Sequence, residues 1–170
     1  MSLSESQLQE YQQLLQGMLS DRKTLQLATQ GEQGPEASYA PFLFSGGCFY
    51  LFISDLAGHT QNMLREPGVG VMLIDDEQDC RNLFARQRVT FQCDVREIGR
   101  SAEGYSALLD ELAEKQGNTI DLLRTLGDFR LLELKPLQGR LVVGFGKAME
   151  ITLPQMTLQH IDAEMLGRNK

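Results

Sequence analysis

No stretch of this 170-residue sequence is long and apolar enough to span a bilayer, so membrane insertion is not expected. The start, MSLSESQLQEYQQLL, lacks the apolar segment of a signal peptide. Cysteine is scarce: Cys48, Cys80 and Cys93 are odd in number and lack metal-finger spacing, which points away from a disulfide scaffold and toward a reducing cytosol. Two histidines, His59 and His160, stand too far apart to make a convincing zinc pair. Positive charge is in deficit as well. The formal net charge of -7 argues against broad binding to nucleic acid or acidic membranes, and neither partner is expected. GxGxxG and phosphate-loop patterns are absent, no Ser-His-Asp order stands out, and there is no internal repeat, low-complexity tract or interdomain linker. What is present, 42% apolar and 23% charged residues, fits one cytoplasmic globular domain over residues 1–170 with a core that needs no staples.

Residues 4–20 place Leu8, Tyr11, Leu15 and Met18 at helical spacings, which predicts an amphipathic helix whose glutamines are no more than a solvated face. TLQLAT, SYAPFLF, CFYLFIS and VGVMLI read as strands, and Pro41, with no amide donor, belongs at an edge or a break in the ladder. DLAGHTQNMLREPG is expected to form a short helix opened by Ser54 or Asp55 and stopped before Pro67. In the acidic stretch DDEQDCRNLFARQ, the residues Cys80, Leu83 and Phe84 suit the inner stripe of another short helix. RVTFQCDVREI alternates Val89, Phe91, Cys93 and Val95 against polar residues and is the cleanest half-buried strand. Two helices follow, 101–115 with Ser101 as cap and 119–126.

The stretch 128–151, DFRLLELKPLQGRLVVGFGKAMEI, reads as two strands joined by a turn at Pro136 and Gly139. The second is apolar on both faces through Leu141, Val142, Val143 and Phe145, as a strand covered on both sides would be. Gly144 and Gly146 suggest a bend, a bulge, or close approach by another backbone or a cofactor. Pro154 interrupts regular structure, and the tail 152–170 is expected to be flexible. Six or seven strands with a few helices predict a mainly β protein, a small antiparallel barrel with flanking helices.

RKTLQLAT, SYAPF, ISDLAGHTQN, the acidic segment running into LFARQRVTF, and DFRLLELKPLQGRLVVGFGKAMEI keep the order of blocks found in one family. From about residue 22 to 151, the chain resembles the heme-utilisation branch of the pyridoxamine-5'-phosphate-oxidase-like split-barrel proteins. The resemblance implies an antiparallel split β-barrel, a homodimer, and a cofactor site at or near the subunit boundary. The cofactor would be heme, with oxidative heme breakdown as the activity and an electron-donor protein or small reductant as partner. The alternative cofactor is FMN, in an oxidoreductase of the same fold, and a non-catalytic heme carrier is the third reading.

By the same resemblance Thr24 and Asp128 match positions of the dimer contact and of support for a heme-ligand histidine. Arg88 matches a basic residue of the cofactor-side strand, and Gly144 and Gly146 match the family's GFG. The family's axial histidine lies near the chain end, where this sequence has Gly167, Arg168, Asn169 and Lys170, which leaves His160 as the tail histidine for iron, with Asp128 behind it. The residues themselves leave alternatives open. Arg88 suits a cofactor carboxylate or phosphate, and equally a salt bridge with the acidic 75–79 segment. His59 suits a capping, backbone-bonding or interface role better than iron ligation. Arg22 and Lys23 either approach an anion or are simply solvated.

Overall fold

The computed structural model describes residues 3–160. Helix α1 (Glu5–Asp21) opens with a capping box, in which Ser4 Oγ accepts from the Gln7 amide and Gln7 Oε1 accepts from the Ser4 amide. Its inner face buries Leu15, Met18 and Leu19. There follow β1 (Thr24–Gly31), β2 (Gly34–Pro41), β3 (Leu43–Ser45), β4 (Cys48–Ser54), α2 (Gly58–Arg65), β5 (Gly68–Ile74) and β6 (Arg88–Ile98). The rest is α3 (Tyr105–Gln116), α4 (Thr119–Leu123), β7 (Phe129–Gly144), β8 (Lys147–Thr152) and β9 (Thr157–His160).

The strands form one antiparallel sheet in the order β2-β1-β5-β6-β7-β4-β3, and β8 and β9 branch from β7. Alternation decides the faces. β1 buries every second residue and β6 buries Val89, Phe91 and Cys93, as their sequences predict. Pro41 ends β2 on the sheet edge, where a missing amide donor costs no ladder bond. The main core centres on Phe49, whose ring lies 5.7 Å from Phe42, 4.9 Å from Phe44 and 5.3 Å from Phe91, in tilted or edge-on arrangements that suit aromatic quadrupoles. A second cluster lies on the other face, where Leu109, Leu112 and Ile120 cover Tyr50, Phe52 and Leu131. β4 is therefore buried on both sides.

Several expectations are corrected. There is no turn at Pro136 and Gly139: residues 129–144 are one continuous strand. Pro136 pairs with Cys93 next to a β-bulge at Leu137 of β7, which tolerates a residue without an amide donor. At Gly139 a Cβ would come within 2.7 Å of the Phe91 ring, so the glycine makes room for a core aromatic. The turn falls instead at Phe145 and Gly146, between β7 and β8, with Gly146 at φ +69°. The strand before it is not covered on both faces, since Val142 and Val143 are half-buried and Phe145 is 78% exposed.

The acidic segment forms two short 3-10 turns rather than a helix, and Leu83 and Phe84 are exposed instead of lining an inner stripe. Helix α2 begins after Ala57, and α3 begins after Gly104, whose left-handed backbone opens it in place of Ser101. The chain beyond Thr152 does not leave the fold at once, because β9 pairs with β8. Gln12 holds it there: its side chain donates to Met156 O at 2.7 Å and accepts from Leu158 N at 3.2 Å, so this glutamine is more than a solvated face. Residues 161–170, and the side chain of His160, lie outside the described residues.

Candidate functional site

Sheet register brings some of the candidate residues together. Arg88 opens β6, with Ile74 of β5 on one side and Val142 of β7 on the other, and Val142 pairs with Ala148 of β8. Thr24 opens β1 two residues before Gln26, which pairs with Met72, so it reaches the same end of the sheet. Gly144 and Gly146 flank the β7–β8 turn there. The backbone of His160 pairs with Met149, which pairs with Leu141, one register row away. Thr24 and Arg88 also share the outward face of the sheet, since each precedes a buried residue of an alternating strand.

Asp128 is elsewhere. It stands before β7, whose sixteen residues run roughly 50 Å in contour from it to Gly144. Ser54 Oγ donates to Asp128 Oδ2 at 2.6 Å, and the Asp55 amide donates to its carbonyl at 2.7 Å. Asp55 and Glu97 both accept from Arg130, the latter at 2.9 Å, and these two bonds raise the Arg130 pKa still further. Arg100 donates to the carbonyls of Leu126, Gly127 and Phe129. The 220 Å³ hollow at this end is lined by groups already matched to one another.

Arg88 differs from the arginines of the Asp128 end. Its Nη1 donates to Arg86 O at 3.0 Å, and it has no carboxylate partner among the described residues. The alternative that it pairs with the acidic segment is corrected, because that segment is occupied. Arg22 Nη2 donates to Asp75 Oδ1 at 2.6 Å and its Nη1 lies 3.6 Å from Asp76 Oδ2, while Arg86 Nη1 lies 3.4 Å from Glu77 Oε1. Arg22 is thus a paired cation rather than a solvated one. Half-buried, Arg88 is held by the Arg86 carbonyl and has no other side-chain hydrogen bond among the described residues.

A groove of about 1200 Å³ runs along the outward face of β2, β1, β5, β6, β7 and β8; its lining on β6 begins at Thr90, two residues on from Arg88, and includes Arg140 and Glu150, 3.9 Å apart. Its floor is low, with Ala28, Ala37 and Gly70 set side by side, and a Cβ on Gly70 would meet that of Ala28 at 3.4 Å. Gln26, Gln92 and Gln138 add neutral hydrogen-bonding groups along it. At such a size the groove exceeds the usual ~300–1,000 Å³ of a small-molecule pocket, leaving space for a second occupant. Exposed apolar groups stand outside the groove on neighbouring segments: Phe145 at the β7–β8 turn, and Leu83 and Phe84 on the 3-10 turn that packs against β7. These three, together with Arg86, were missed from sequence. The repeat Arg-x-Arg in FARQR was the available signal for Arg86.

His59 lies in α2, where Nδ1 shares a hydrogen bond of 3.0 Å with Ser38 Oγ. Its Nε2 is enclosed with no partner among the described residues, and burial lowers its pKa, which favours the neutral ring. With one nitrogen bonded and the other enclosed, it serves structure rather than a metal. No group of three or more His, Cys, Asp or Glu side chains among the described residues is placed to hold a metal ion. No helix among them is long and apolar enough to cross a membrane.

The profile of the pyridoxamine 5'-phosphate oxidase family matches residues 9–143. Over 150 residues the chain is 39% identical to the heme oxygenase HutZ of Vibrio cholerae, a match covering 83% of this chain and 85% of HutZ. The crystal structure of HutZ, described there as a heme storage protein, superposes with a TM-score of 0.69 at 38% identity over 82% of this chain and 94% of that one. Campylobacter jejuni ChuZ superposes with a TM-score of 0.82 at 25% identity, covering 96% of this chain and 65% of ChuZ.

Proposed function

The chain belongs to the pyridoxamine 5'-phosphate oxidase family, in the branch of HutZ, and from that membership we propose that it is a cytoplasmic heme-binding protein that degrades heme oxidatively. The observation that carries this reading is Arg88, a half-buried cation without a carboxylate partner among the described residues, two residues before the groove-lining Thr90 on β6, in a chain so similar to a heme oxygenase. The residues present fit heme: a guanidinium for a propionate, apolar side chains at the same end, and a floor low enough for a flat ring. When bound, heme supplies the iron at which oxygen and electrons from a donor protein or small reductant meet.

The chain's own residues bind and orient. Arg88 offers its unused N–H groups to a carboxylate. Gly144 and Gly146 keep the adjoining turn free of side chains on that edge. Asp128 cannot reach Arg88 within one chain, so a single site containing both is built by two copies. In that homodimer the groove floor faces the partner, Thr24 lies at the contact, and Asp128 of one copy orients the tail histidine, His160, as iron ligand. Ser54 takes Asp128 Oδ2 and leaves Oδ1 to accept from an imidazole N–H, which would fix the tautomer and raise ligand basicity.

Two other readings rest on specific observations. Arg88 serves an FMN phosphate as well as a propionate, and the fold is shared with flavin-binding proteins. The structural relative described as a heme storage protein supports a carrier without turnover. Parallel titration of the purified protein with hemin and FMN separates them. Stoichiometric hemin binding with a Soret band, and a bilin-like product once reductant and oxygen are added, is expected. A yellow protein saturating with FMN alone would replace this reading with the flavin one, and bound heme that persists under reductant and oxygen would leave the carrier.

A further inference from the structure

Arg88 is held by a chain of contacts that begins on another strand. Asp75 lies at the base of the loop 75–87. Its amide donates to Gln87 O at 3.1 Å, and its carbonyl accepts from Arg86 Nε at 2.5 Å. Arg86 in turn presents its own carbonyl to Arg88 Nη1 at 3.0 Å. From the far side, Arg22 clamps the Asp75 carboxylate at 2.6 Å, with side-chain exposures of 34% for Arg22 and 19% for Asp75. A pair so shielded from water is stiffer than an exposed one.

We propose that Asp75 is the positioning residue that holds the Arg88 guanidinium ready for an anionic group of the ligand, acting through Arg86 and anchored by Arg22; this rests on the reading of Arg88 above. An arginine side chain free to swing must be ordered when its ligand arrives, and ordering it beforehand removes that entropy from the binding step. The loop base achieves this with backbone groups, so it does not spend the charge of Arg88. It also occupies Arg22 and Arg86 with acids of the same loop, so that neither competes with Arg88 for an anion at that loop.

Charge and position predict different outcomes. If Asp75 merely balanced charge, Asp75→Ala would release Arg22 and tighten hemin binding, while Arg22→Met would weaken it. If Asp75 positions Arg88, both variants weaken binding despite their opposite changes in charge. The experiment titrates the full chain with hemin in wild type, Asp75→Ala, Arg22→Met, Arg88→Ala and the two doubles with Arg88→Ala, with unfolding midpoints measured alongside. Each single loop variant is expected to raise the Kd for hemin about three- to tenfold, and to have less than about a twofold effect once Arg88 is absent, since contacting residues couple. Arg22→Met reports on the same contact should Asp75→Ala fold poorly. The inference is overturned if either variant that folds leaves the Kd unchanged, if Asp75→Ala tightens binding, or if the losses persist in the Arg88→Ala background. If Arg88→Ala itself binds hemin like wild type, the anchor reading has failed and this inference falls with it.

Discussion

The two ends of β7 are built on opposite principles. Around Asp128 the polar groups are matched: Ser54 bonds Asp128, Arg130 is shared between Asp55 and Glu97, and Arg100 closes on three carbonyls. Around Gly144 a guanidinium stands without a carboxylate, and Phe84 and Phe145 are 85% and 78% exposed. A matched network of arginines organises the backbone and offers no spare cation to an anion. An unmatched cation beside exposed apolar surface gains from an amphipathic anion, and a porphyrin with carboxylate arms is such a molecule. The difference separates an end whose arginines are paired within the chain, with Asp128 Oδ1 left for a partner copy, from an end that presents an arginine without a carboxylate.

The comparison can be broken most severely in the middle. Gly139→Val would drive a side chain into the Phe91 ring and Ile151, in the strand that joins both ends. A loss of about 1–3 kcal/mol or more in denaturant unfolding is expected, with hemin binding impaired as well. A stability unchanged from wild type would mean that β6 and β7 give way more easily than their packing implies. At the matched end, Arg100→Met should lower stability by about 1 kcal/mol through its lost bonds to the Leu126, Gly127 and Phe129 carbonyls. The hemin Kd should stay within twofold of wild type, and a larger change would blur the division between the ends.

The smallest effect concerns His59, whose folded pKa is depressed below 6.5 by burial. The unfolded chain therefore takes up the proton first, so the stability it contributes is complete above pH 6.5 and is lost as pH falls through the folded value. Unfolding midpoints measured between neutral and mildly acidic pH should decline less steeply in His59→Gln than in wild type. Parallel slopes would show that the ring is more open to water than its enclosed Nε2 implies.

Much of this division could be read from the residues, but not its decisive part. Strict alternation in TLQLAT and RVTFQCDVREI fixed the faces of β1 and β6, because one-sided burial leaves a period of two. Arg88 stood out through the resemblance of LFARQRVTF to the family's cofactor-side strand. Its lack of a carboxylate did not, since Arg22 and Arg86 take the acids of the loop, and only the folded chain brings residue 22 to residue 75. Gly139 was misread because a glycine that yields space to a distant aromatic looks in sequence like a glycine that turns. The true turn at Gly146 carried an equally plausible signal, and cross-strand register decided between them. Leu83 and Phe84 were assigned an inner stripe because apolar residues in a short polar segment suggest burial, and here they face outward.

The most direct test of the unequal ends is a hemin titration of Arg88→Ala, followed by its unfolding in denaturant. Loss of a charge-assisted contact to the ligand should raise the Kd by roughly 10- to 150-fold, while the unfolding midpoint stays at the wild-type value because no carboxylate is orphaned. A Kd equal to that of the wild type, or a protein that is destabilised without losing affinity, would contradict the assignment of this end to the ligand.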